Sequence, residues 1–230
     1  IRSILKRVWG YDAFRPLQED IIRSILNGRD TLALLPTGGG KSICYQVPGI
    51  ALEGLCLVIS PLIALMKDQV AGLQKKDITA LALWSGMSRK EVENTLRVAG
   101  NSNCRFLYVS PERLQSSLFR EFLPSLDITL IAVDEAHCIS QWGYDFRPPY
   151  LKIAELRDEL PKVPILALTA SATPEVQKDI CEKLQFRSHE VFRQSFERPN
   201  LSYSVFKEDA PLARDTSANP SQDRRGSRTH

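Results

Sequence analysis

The sequence predicts an α/β domain in which a mostly parallel sheet carries helices on both faces. Two observations predict it: short apolar runs alternate with longer amphipathic runs, and most of the short runs are continuous in apolar character. Continuous apolar strands are typical of parallel sheets, because those strands are buried on both faces. The alternation favours strand–helix–strand units, in which each helix crosses back over the sheet. Ligands of such folds bind at the carboxyl ends of the strands.

The individual elements follow from local signals. The runs predicted as strands are residues 30–36, 55–60, 80–84, 105–110, 129–136, 164–170 and 190–196. Helix starts are predicted where a hydroxyl residue precedes proline, or lies three residues before glutamate. These pairs are Ser60 with Pro61, Ser110 with Pro111, Thr173 with Pro174, and Ser88 with Glu91. Residues 151–160 and 174–184 also have helical periodicity.

Composition limits the classes of function. The 230 residues suit one large domain or two small ones, and a hydrophobic content of 43% permits a substantial core. The net charge of +3 is too small to indicate a nucleic-acid partner by itself. Any DNA contact must therefore depend on local patches and aromatic residues. No apolar run approaches the ~18 residues of a membrane span, so no membrane partner is expected.

The five cysteines contain no C-x-x-C pair, and several lie in apolar runs. We expect buried, reduced thiols and no structural zinc. Reduced thiols favour a reducing compartment, and hence the cytoplasm, with nucleoid association if the source is bacterial. No signal-peptide pattern follows Ile1.

A glycine-rich segment between a predicted strand and a predicted helix is the strongest candidate site. We call it the phosphate loop; it consists of Thr37, Gly38, Gly39, Gly40, Lys41 and Ser42. Glycines let backbone N–H groups turn toward phosphate oxygens, Lys41 can reach the β- and γ-phosphates, and Ser42 can ligate Mg²⁺. Leu35 stands where the usual pattern has its first glycine. The alternative is a flexible glycine turn, which the strand–loop–helix context disfavours.

Two adjacent carboxylates, Asp134 and Glu135, end the predicted strand 129–136. Each would cost several kcal/mol if it were buried without a partner. A Mg²⁺ ion beside Asp134 would relieve that cost, and Glu135 could then polarise an attacking water. The alternative is an ordinary acidic loop after a strand, and the nearby phosphate loop makes it the weaker interpretation.

Together these motifs resemble superfamily 2 helicases, and the RecQ family in particular. The segments that carry the resemblance are residues 14–18 (FRPLQ), 37–42 (TGGGKS), 134–140 (DEAHCIS), 141–150 (QWGYDFRPPY), 169–173 (TASAT) and 196–201 (FERPNL). The resemblance covers roughly residues 4–206. It implies a RecA-like P-loop NTPase domain at residues 1–206 and an ATP-dependent 3′-to-5′ DNA helicase that uses ATP and Mg²⁺. It also implies single-stranded or 3′-tailed DNA as the partner, and a place in DNA repair and recombination.

The resemblance assigns roles around the nucleotide. Tyr11 is similar to an aromatic that stacks on adenine, Gln18 to the residue that reads the base, and Arg15 to a residue that supports this pocket. The alternative for residues 14–18 is a plain helix start. His137 is assigned to coupling, with contact to the phosphate site or to Ser171; its alternative is a structural histidine.

Other segments resemble DNA contacts. Ser60 and Pro61 begin one segment similar to those that touch the DNA backbone, and Ser110 begins another. The alternative, two capped helices, weighs about equally. Ser171 and Thr173 resemble the motif that links hydrolysis to movement, although Thr173 could be only a helix cap before Pro174.

The segment 142–150 resembles the RecQ loop that couples DNA binding to hydrolysis; together with Gln141, its first part makes up residues 141–147, which we call the aromatic loop. Its candidate residues are Gln141, Trp142, Tyr144, Phe146 and Arg147. Stacking of bases on aromatic rings tolerates any sequence and contributes about 1–3 kcal/mol per base. Tyr144 stands where many members carry histidine, which keeps a stacking ring and alters the polar contact. The alternative is that these aromatics belong to the core, and it suits Tyr150 best. For the others it is the weaker interpretation, because a glycine and two prolines interrupt the segment and fit a regular core element poorly.

The resemblance stops after Phe206. Residues 207–230 have few large apolar residues and are predicted to be a disordered tail. The second RecA-like domain, and the zinc-binding and winged-helix domains of many members, are absent from these 230 residues. Two hypotheses follow: the first motor domain of a DNA helicase, or a nucleotide- and DNA-binding module that does not unwind. The motifs favour the first as ancestry, whereas the missing second motor domain favours the second for these residues alone, which we do not expect to unwind duplex DNA. Under either, a separate second motor domain or other repair proteins are candidate partners.

Overall fold

A parallel sheet of seven strands forms the centre of the fold in the computed structural model, which describes residues 1–194. The strands are β1 (Asp30–Leu34), β2 (Leu55–Ile59), β3 (Ala80–Leu83), β4 (Phe106–Val109), β5 (Ile128–Val133), β6 (Ile165–Thr169) and β7 (His189–Arg193). Their order across the sheet is β3-β4-β2-β5-β6-β1-β7, and each neighbouring pair is parallel. Every predicted strand overlaps an observed one, so the parallel α/β prediction is confirmed.

Eight α-helices connect or flank the described strands. They are α1 (Arg2–Trp9), α2 (Gln18–Leu26), α3 (Ile43–Ala51), α4 (Ile63–Gln74), α5 (Arg89–Asn101), α6 (Ser117–Phe122), α7 (Leu156–Glu159) and α8 (Pro174–Lys183). Short 3₁₀ helices occupy Pro111–Gln115, Leu123–Ser125, Ala136–Ile139 and Pro148–Glu155.

Two of the predicted helix caps are confirmed. The Ser88 hydroxyl accepts a hydrogen bond from the Glu91 amide, and the Ser88 amide donates one to the Glu91 carboxylate, which closes a capping box on α5. The Thr173 hydroxyl accepts from the Val176 amide at the start of α8.

Three other predictions about helices need correction. The cap at Ser60 is wrong, because Ser60 still donates its amide to Val109 of the sheet and α4 begins only at Ile63. Ser110 does precede a helix at Pro111, but it is a 3₁₀ helix and the serine side chain makes no capping bond. Residues 151–160 are only partly α-helical: the first half belongs to the 3₁₀ helix Pro148–Glu155, which opens on two prolines, and only Leu156–Glu159 is α.

The core lies on both faces of the sheet. Alternate residues of each strand point to opposite sides, so Leu57 and Ile59 join one buried cluster while Cys56 and Val58 join the other. Side chains of α5, α6 and α8 complete the first cluster, and those of α2, α3 and α4 complete the second. The prediction of helices on both faces is therefore confirmed.

A buried ion pair fastens the amino ends of the strands, opposite the predicted site. Arg157 Nη2 lies 2.8 Å from Asp30 Oδ1, and both side chains are 4% exposed. The Asp30 carboxylate also accepts the backbone amides of Ile165 and Arg187, each at 2.9 Å. One carboxylate thus ties the start of β1 to the start of β6 and to the approach to β7.

All five cysteines are free thiols, and all except Cys181 are buried. This agrees with the expected buried, reduced state. Among residues 1–194, no helix is both long enough and apolar enough to cross a membrane.

Candidate functional site

A cleft of about 310 Å³ opens at the carboxyl ends of β1, β2 and β5. The phosphate loop forms one wall, and the acidic pair at the end of β5 forms the other. Lys41, Ser42, Asp134 and Glu135 all line it. The sequence predicted these residues from separate motifs, and the parallel sheet brings them together because strand ends meet at one edge.

The conformation of the phosphate loop depends on its glycines. Gly38 and Gly40 have φ angles of 78° and 76°, in the left-handed region that side chains disfavour. A Cβ on Gly39 would lie 2.8 Å from the Pro36 carbonyl oxygen, too close for any side chain. Ser42 then directly precedes α3, so the loop leads into a helix amino terminus as the motif requires.

Lys41 and Glu135 form an ion pair across the cleft. Lys41 Nζ lies 3.2 Å from Glu135 Oε1, and the two side chains are 18% and 24% exposed. Glu135 itself has a φ of 47°, which is strained for a residue with a side chain. This strained backbone directs the Glu135 carboxylate toward the phosphate loop.

Asp134 lies deeper than Glu135 and is only 9% exposed. Its Oδ2 accepts a hydrogen bond from the Ser60 hydroxyl at 3.4 Å, and its carbonyl accepts one from the Tyr150 hydroxyl at 2.9 Å. Burial raises the pKa of the Asp134 carboxyl, and the adjacent Glu135 charge raises it further, while the Lys41 ammonium opposes both. A bound divalent cation would remove this penalty on the charged form.

His137 connects the acidic pair to the end of β6. Its Nδ1 lies 3.0 Å from Thr169 Oγ1 and 3.3 Å from Glu135 Oε2. Burial lowers the pKa of His137, although the Glu135 and Asp145 charges oppose that shift. Thr169 in turn donates to the Ser171 carbonyl at 3.2 Å, which leaves its oxygen free to accept the His137 N–H. A line of contacts therefore runs from Glu135 to Ser171.

The three residues assigned to adenine lie in a second pocket of about 410 Å³. Tyr11 is 55% exposed, whereas Gln18 is only 3% exposed. The Gln18 amide nitrogen donates to the Gly40 carbonyl at 3.0 Å, and its oxygen accepts the Arg15 amide at 2.9 Å. The Arg15 guanidinium donates to the Gly38 carbonyl. The structure thus brings Gln18 and Arg15 onto the phosphate loop; their role toward adenine remains a prediction.

The residues assigned to the DNA backbone lie at the same sheet edge, at the ends of β2 and β4. Ser60 and Ser110 are each 2% exposed, and Pro61 is half-buried. Ser60 contributes its hydroxyl to Asp134. The Ser110 hydroxyl is buried without a hydrogen-bond partner in the described part of the chain. Neither hydroxyl faces an open surface, and the assignment to DNA remains a prediction.

The aromatic loop projects its rings into solvent. Trp142 and Tyr144 are 79% and 77% exposed, and Gln141 is exposed beside them. The Tyr144 ring stacks on His137, with centroids 4.4 Å apart and planes inclined by 22°. Phe146 and Arg147 are half-buried. Tyr150 is fully buried, as its alternative interpretation expected.

The aromatic loop faces the segment that contains Ser171 and Thr173. A third pocket, of about 480 Å³, lies between Trp142 and Tyr144 on one side and Ser171 and Thr173 on the other. Thr173 also caps α8, so the capping interpretation of this residue is confirmed, and its role in coupling remains a prediction. His137 thus connects three parts of the site: it stacks on Tyr144, contacts Glu135 of the acidic pair, and reaches residues 171–173 through Thr169.

Sequence reasoning missed several polar residues of the site. Thr169 belongs to the contact line; the motif at residues 169–173 includes it, but the resemblance assigns a role only to Ser171 and Thr173 there. Tyr45 and Tyr108 also line the cleft, with hydroxyls 3.3 Å apart. They lie within apolar stretches, where only an unexpected hydroxyl could have marked them.

Two further assignments fall beyond residue 194. The segment 196–201 and the predicted tail 207–230 lie outside the described residues.

Comparison with known proteins identifies the family. A family model described as DEAD/DEAH box helicase matches residues 15–180. The ATP-dependent DNA helicase RecQ of Bacillus subtilis is 46% identical over 208 residues, which are 90% of this chain and 35% of the relative. The RecQ of Haemophilus influenzae is 43% identical over 210 residues, 91% of this chain and 34% of the relative. This chain thus spans about a third of the length of these relatives.

A solved structure supports the fold. The helicase domain of Hef from Pyrococcus furiosus superposes with a TM-score of 0.61 at 21% identity, over 80% of this chain and 38% of that one. The RecA-like fold and the resemblance to RecQ helicases are therefore both confirmed. With its phosphate loop and acidic pair facing each other across one cleft, the chain belongs to the DEAD/DEAH box helicase family.

Proposed function

We propose that the chain is the ATP-binding motor domain of a RecQ-like 3′-to-5′ DNA helicase, which binds Mg-ATP and single-stranded DNA and couples the two. The observation that carries the proposal is the contact of Lys41 with Glu135, 3.2 Å apart across the cleft. Lys41 belongs to the phosphate loop, and Glu135 contacts His137, on which Tyr144 of the aromatic loop stacks.

ATP binding exchanges the partner of Lys41. The incoming β- and γ-phosphates attract the Lys41 ammonium more strongly than a single carboxylate does, because they carry more charge. Glu135 then loses its cation and is left to orient the attacking water and accept its proton. Backbone amides after Gly38 and Gly40 hold the phosphate oxygens, as expected where a glycine loop leads into a helix.

Ser42 and Asp134 fit a magnesium ion. Both offer oxygen atoms, which Mg²⁺ prefers, and both line the cleft beside Lys41. The raised pKa of the buried Asp134 carboxyl marks a charge that lacks sufficient compensation from protein groups. When bound, the ion supplies neutralisation of the phosphate charge.

DNA contact is assigned to the aromatic loop. Its two exposed rings, Trp142 and Tyr144, offer stacking surfaces that tolerate any base. Stacking at Tyr144 bears directly on His137, which contacts Glu135. The choice of DNA and the 3′-to-5′ direction rest on the resemblance to RecQ helicases. The free thiols support a reducing compartment, and we place the protein in the cytoplasm on that ground.

The test is ATP hydrolysis by the chain alone, with single-stranded DNA and with single-stranded RNA. We expect DNA to raise the rate, and Glu135→Gln to lower the stimulated rate about 10²–10⁴-fold, as for loss of a general base. Glu93→Gln is the matched control, because Glu93 forms only an exposed pair with Arg97. Equal rates with and without DNA would contradict the coupling. Binding of Mg-ATP without turnover would favour the nucleotide-binding module instead.

Direction is measured separately, in a chain extended to the full length of the RecQ family, with duplexes that carry a 3′ or a 5′ single-stranded tail; we expect separation of the 3′-tailed duplex. ATP-dependent strand separation from the 5′-tailed duplex alone would contradict the proposed direction.

A further inference from the structure

We propose that Asp179 and Lys183 of α8 are positioning residues that hold the base of the aromatic loop where Tyr144 can stack on His137. Neither belongs to the motifs that indicate the helicase family. The inference rests on the proposed function of the loop as the DNA sensor.

The contacts form a short chain of hydrogen bonds from α8 to the loop. Lys183 Nζ donates to Asp179 Oδ2 at 2.8 Å and to the Ile139 carbonyl at 3.3 Å. Asp179 Oδ2 accepts the Ser140 hydroxyl at 2.6 Å. Ser140 Oγ accepts the Trp142 amide at 3.2 Å. The backbone at the start of the aromatic loop is thereby fixed by a carboxylate from another element.

The burial of this cluster makes it a firm anchor. Ser140 is fully buried, and the Asp179 and Lys183 side chains are only 16% and 28% exposed. Burial by itself would raise the pKa of Asp179, but the hydrogen bonds from Lys183 and Ser140 outweigh it and hold the pKa below the usual value. Asp179 is therefore charged at neutral pH, and its hydrogen bonds are of the stronger, charge-assisted kind.

The geometry of Ser140 shows why Asp179 matters to the loop. A serine hydroxyl has one proton to donate, and here that proton goes to Asp179, which turns a lone pair toward the Trp142 amide. Without the carboxylate, the hydroxyl is free to rotate and the Trp142 amide loses an oriented acceptor. The far end of the loop is held differently, by the Arg147 amide on the Cys138 carbonyl at 2.8 Å and by the Asp145–Arg147 pair.

The anchor also joins the two sides of the 480 Å³ pocket. Because α8 begins directly after residues 171–173, a shift of that segment moves α8, and α8 carries Asp179. The aromatic loop therefore receives the movement of residues 171–173 along a second route, in addition to the one through His137 and Thr169.

The experiment compares Asp179→Ala and Asp179→Asn with Glu182→Gln, a control on the same helix. Glu182 forms an exposed pair with Lys178 at 3.7 Å and does not contact the loop. Lys183→Met is the second way to break the anchor, and circular dichroism melting establishes that each variant is folded.

The first measurement reports on the loop without reference to activity. The chain has three tryptophans, so Trp9→Phe with Trp84→Phe leaves Trp142 as the only one. In that background, time-resolved fluorescence anisotropy measures the local motion of Trp142. We expect faster motion in Asp179→Ala and Lys183→Met, partial restoration in Asp179→Asn, and no change in Glu182→Gln. Unchanged motion in the folded anchor variants overturns the proposal, even if no DNA stimulation exists in the parent.

The second measurement is DNA-stimulated hydrolysis. We expect the DNA concentration for half-maximal stimulation to rise about tenfold in Asp179→Ala, the loss expected for one charged hydrogen bond. The rate at saturating DNA should fall less than the affinity does, because Lys41 and Glu135 are untouched. An equal rise in Glu182→Gln, or a fall confined to the saturated rate, would contradict a positioning role.

Discussion

The phosphate loop and the aromatic loop lie at the same edge of the sheet, yet they present their functional groups in opposite ways. In the phosphate loop region, Lys41, Gln18 and Arg15 all donate to protein groups: the Glu135 carboxylate and the carbonyls of Gly40 and Gly38. In the aromatic loop, the backbone is bonded and the rings of Trp142 and Tyr144 face solvent.

This difference separates two modes of binding. A nucleotide must replace internal partners, so its affinity is a difference between two sets of contacts. A DNA base needs only to stack on rings that are already in place, so little reorganisation opposes it. A substitution in the phosphate loop region should therefore change nucleotide affinity in two ways, because it removes contacts to the nucleotide and also contacts within the protein. A substitution in the aromatic loop should change DNA affinity only through the lost stacking.

Of the substitutions that compare the two loops, Lys41→Ala is expected to have the largest effect. Lys41→Ala removes the cation that meets the phosphates and should lower turnover of ATP by about 10²–10³-fold, as for loss of one electrostatic donor in a closed site. Steady-state hydrolysis measures the turnover, and calorimetric titration measures the affinity for Mg-ATP. Lys178→Ala, on the exposed face of α8, is the control. Equal turnover in Lys41→Ala would remove this residue from the site.

The next effect is expected at Trp142. Trp142→Ala removes an exposed stacking surface and should weaken single-stranded DNA binding about 5–150-fold, the equivalent of about 1–3 kcal/mol. Fluorescence anisotropy of a labelled oligonucleotide at fixed salt measures it. Val98→Ala, another exposed apolar residue, should have no effect. If both variants bind DNA as the parent does, Trp142 is not a stacking surface.

A smaller and mixed effect is expected at Gln18. Gln18→Ala should reduce the preference for ATP over GTP roughly tenfold, because one selective hydrogen-bond pattern is lost. The same change releases the Gly40 carbonyl, which should affect both nucleotides alike, so the ratio of the two affinities isolates the role of Gln18 toward the base. Competition between the two nucleotides gives the ratio, with exposed Gln115→Ala as the control. An unchanged ratio would show that Gln18 serves only the loop.

The smallest effect concerns stability. The pKa of Asp134 is raised above its usual 3.8, so the folded state binds more protons than the unfolded state in the range just above that value. Stability therefore falls as pH rises through that range, and the cost remains at neutral pH. Asp134→Asn should gain about 1 kcal/mol there, or 2–4 °C in Tm. The gain should disappear in acid, where Asp134 is protonated.

Thermal melts across pH measure this gain, with exposed Asp68→Asn as the control. Mg-ATP should reverse the order, because only the parent retains the carboxylate that fits the ion. If the parent and Asp134→Asn were equally stable at all pH values, the burial of the Asp134 charge would not cost stability, and the prediction would be wrong.

Local patterns predicted the strands well, because a strand that is buried on both faces of a sheet has a continuous run of apolar residues. They also predicted the residue types of the site, since phosphate and metal chemistry restrict which side chains serve. The pairing of Lys41 with Glu135, 94 residues apart, was not predictable, because a pattern contains no distances. The same holds for the Ser140–Asp179 contact, 39 residues apart. Ser60 does not cap a helix because its amide donates to the sheet and its hydroxyl donates to Asp134.

The strand order has a consequence for how the molecule is made. β1 carries the phosphate loop at its end and precedes the other described strands in the chain, yet its sheet neighbours are β6 and β7, the last two described strands. At ~5–20 residues per second, a ribosome reaches β7 on the order of ten seconds after β1. Until β6 has been made, neither sheet neighbour of β1 exists, and such long-range pairing is slow to form. We therefore expect the nascent chain to gain its proposed nucleotide site only when most of the described sheet has been synthesised.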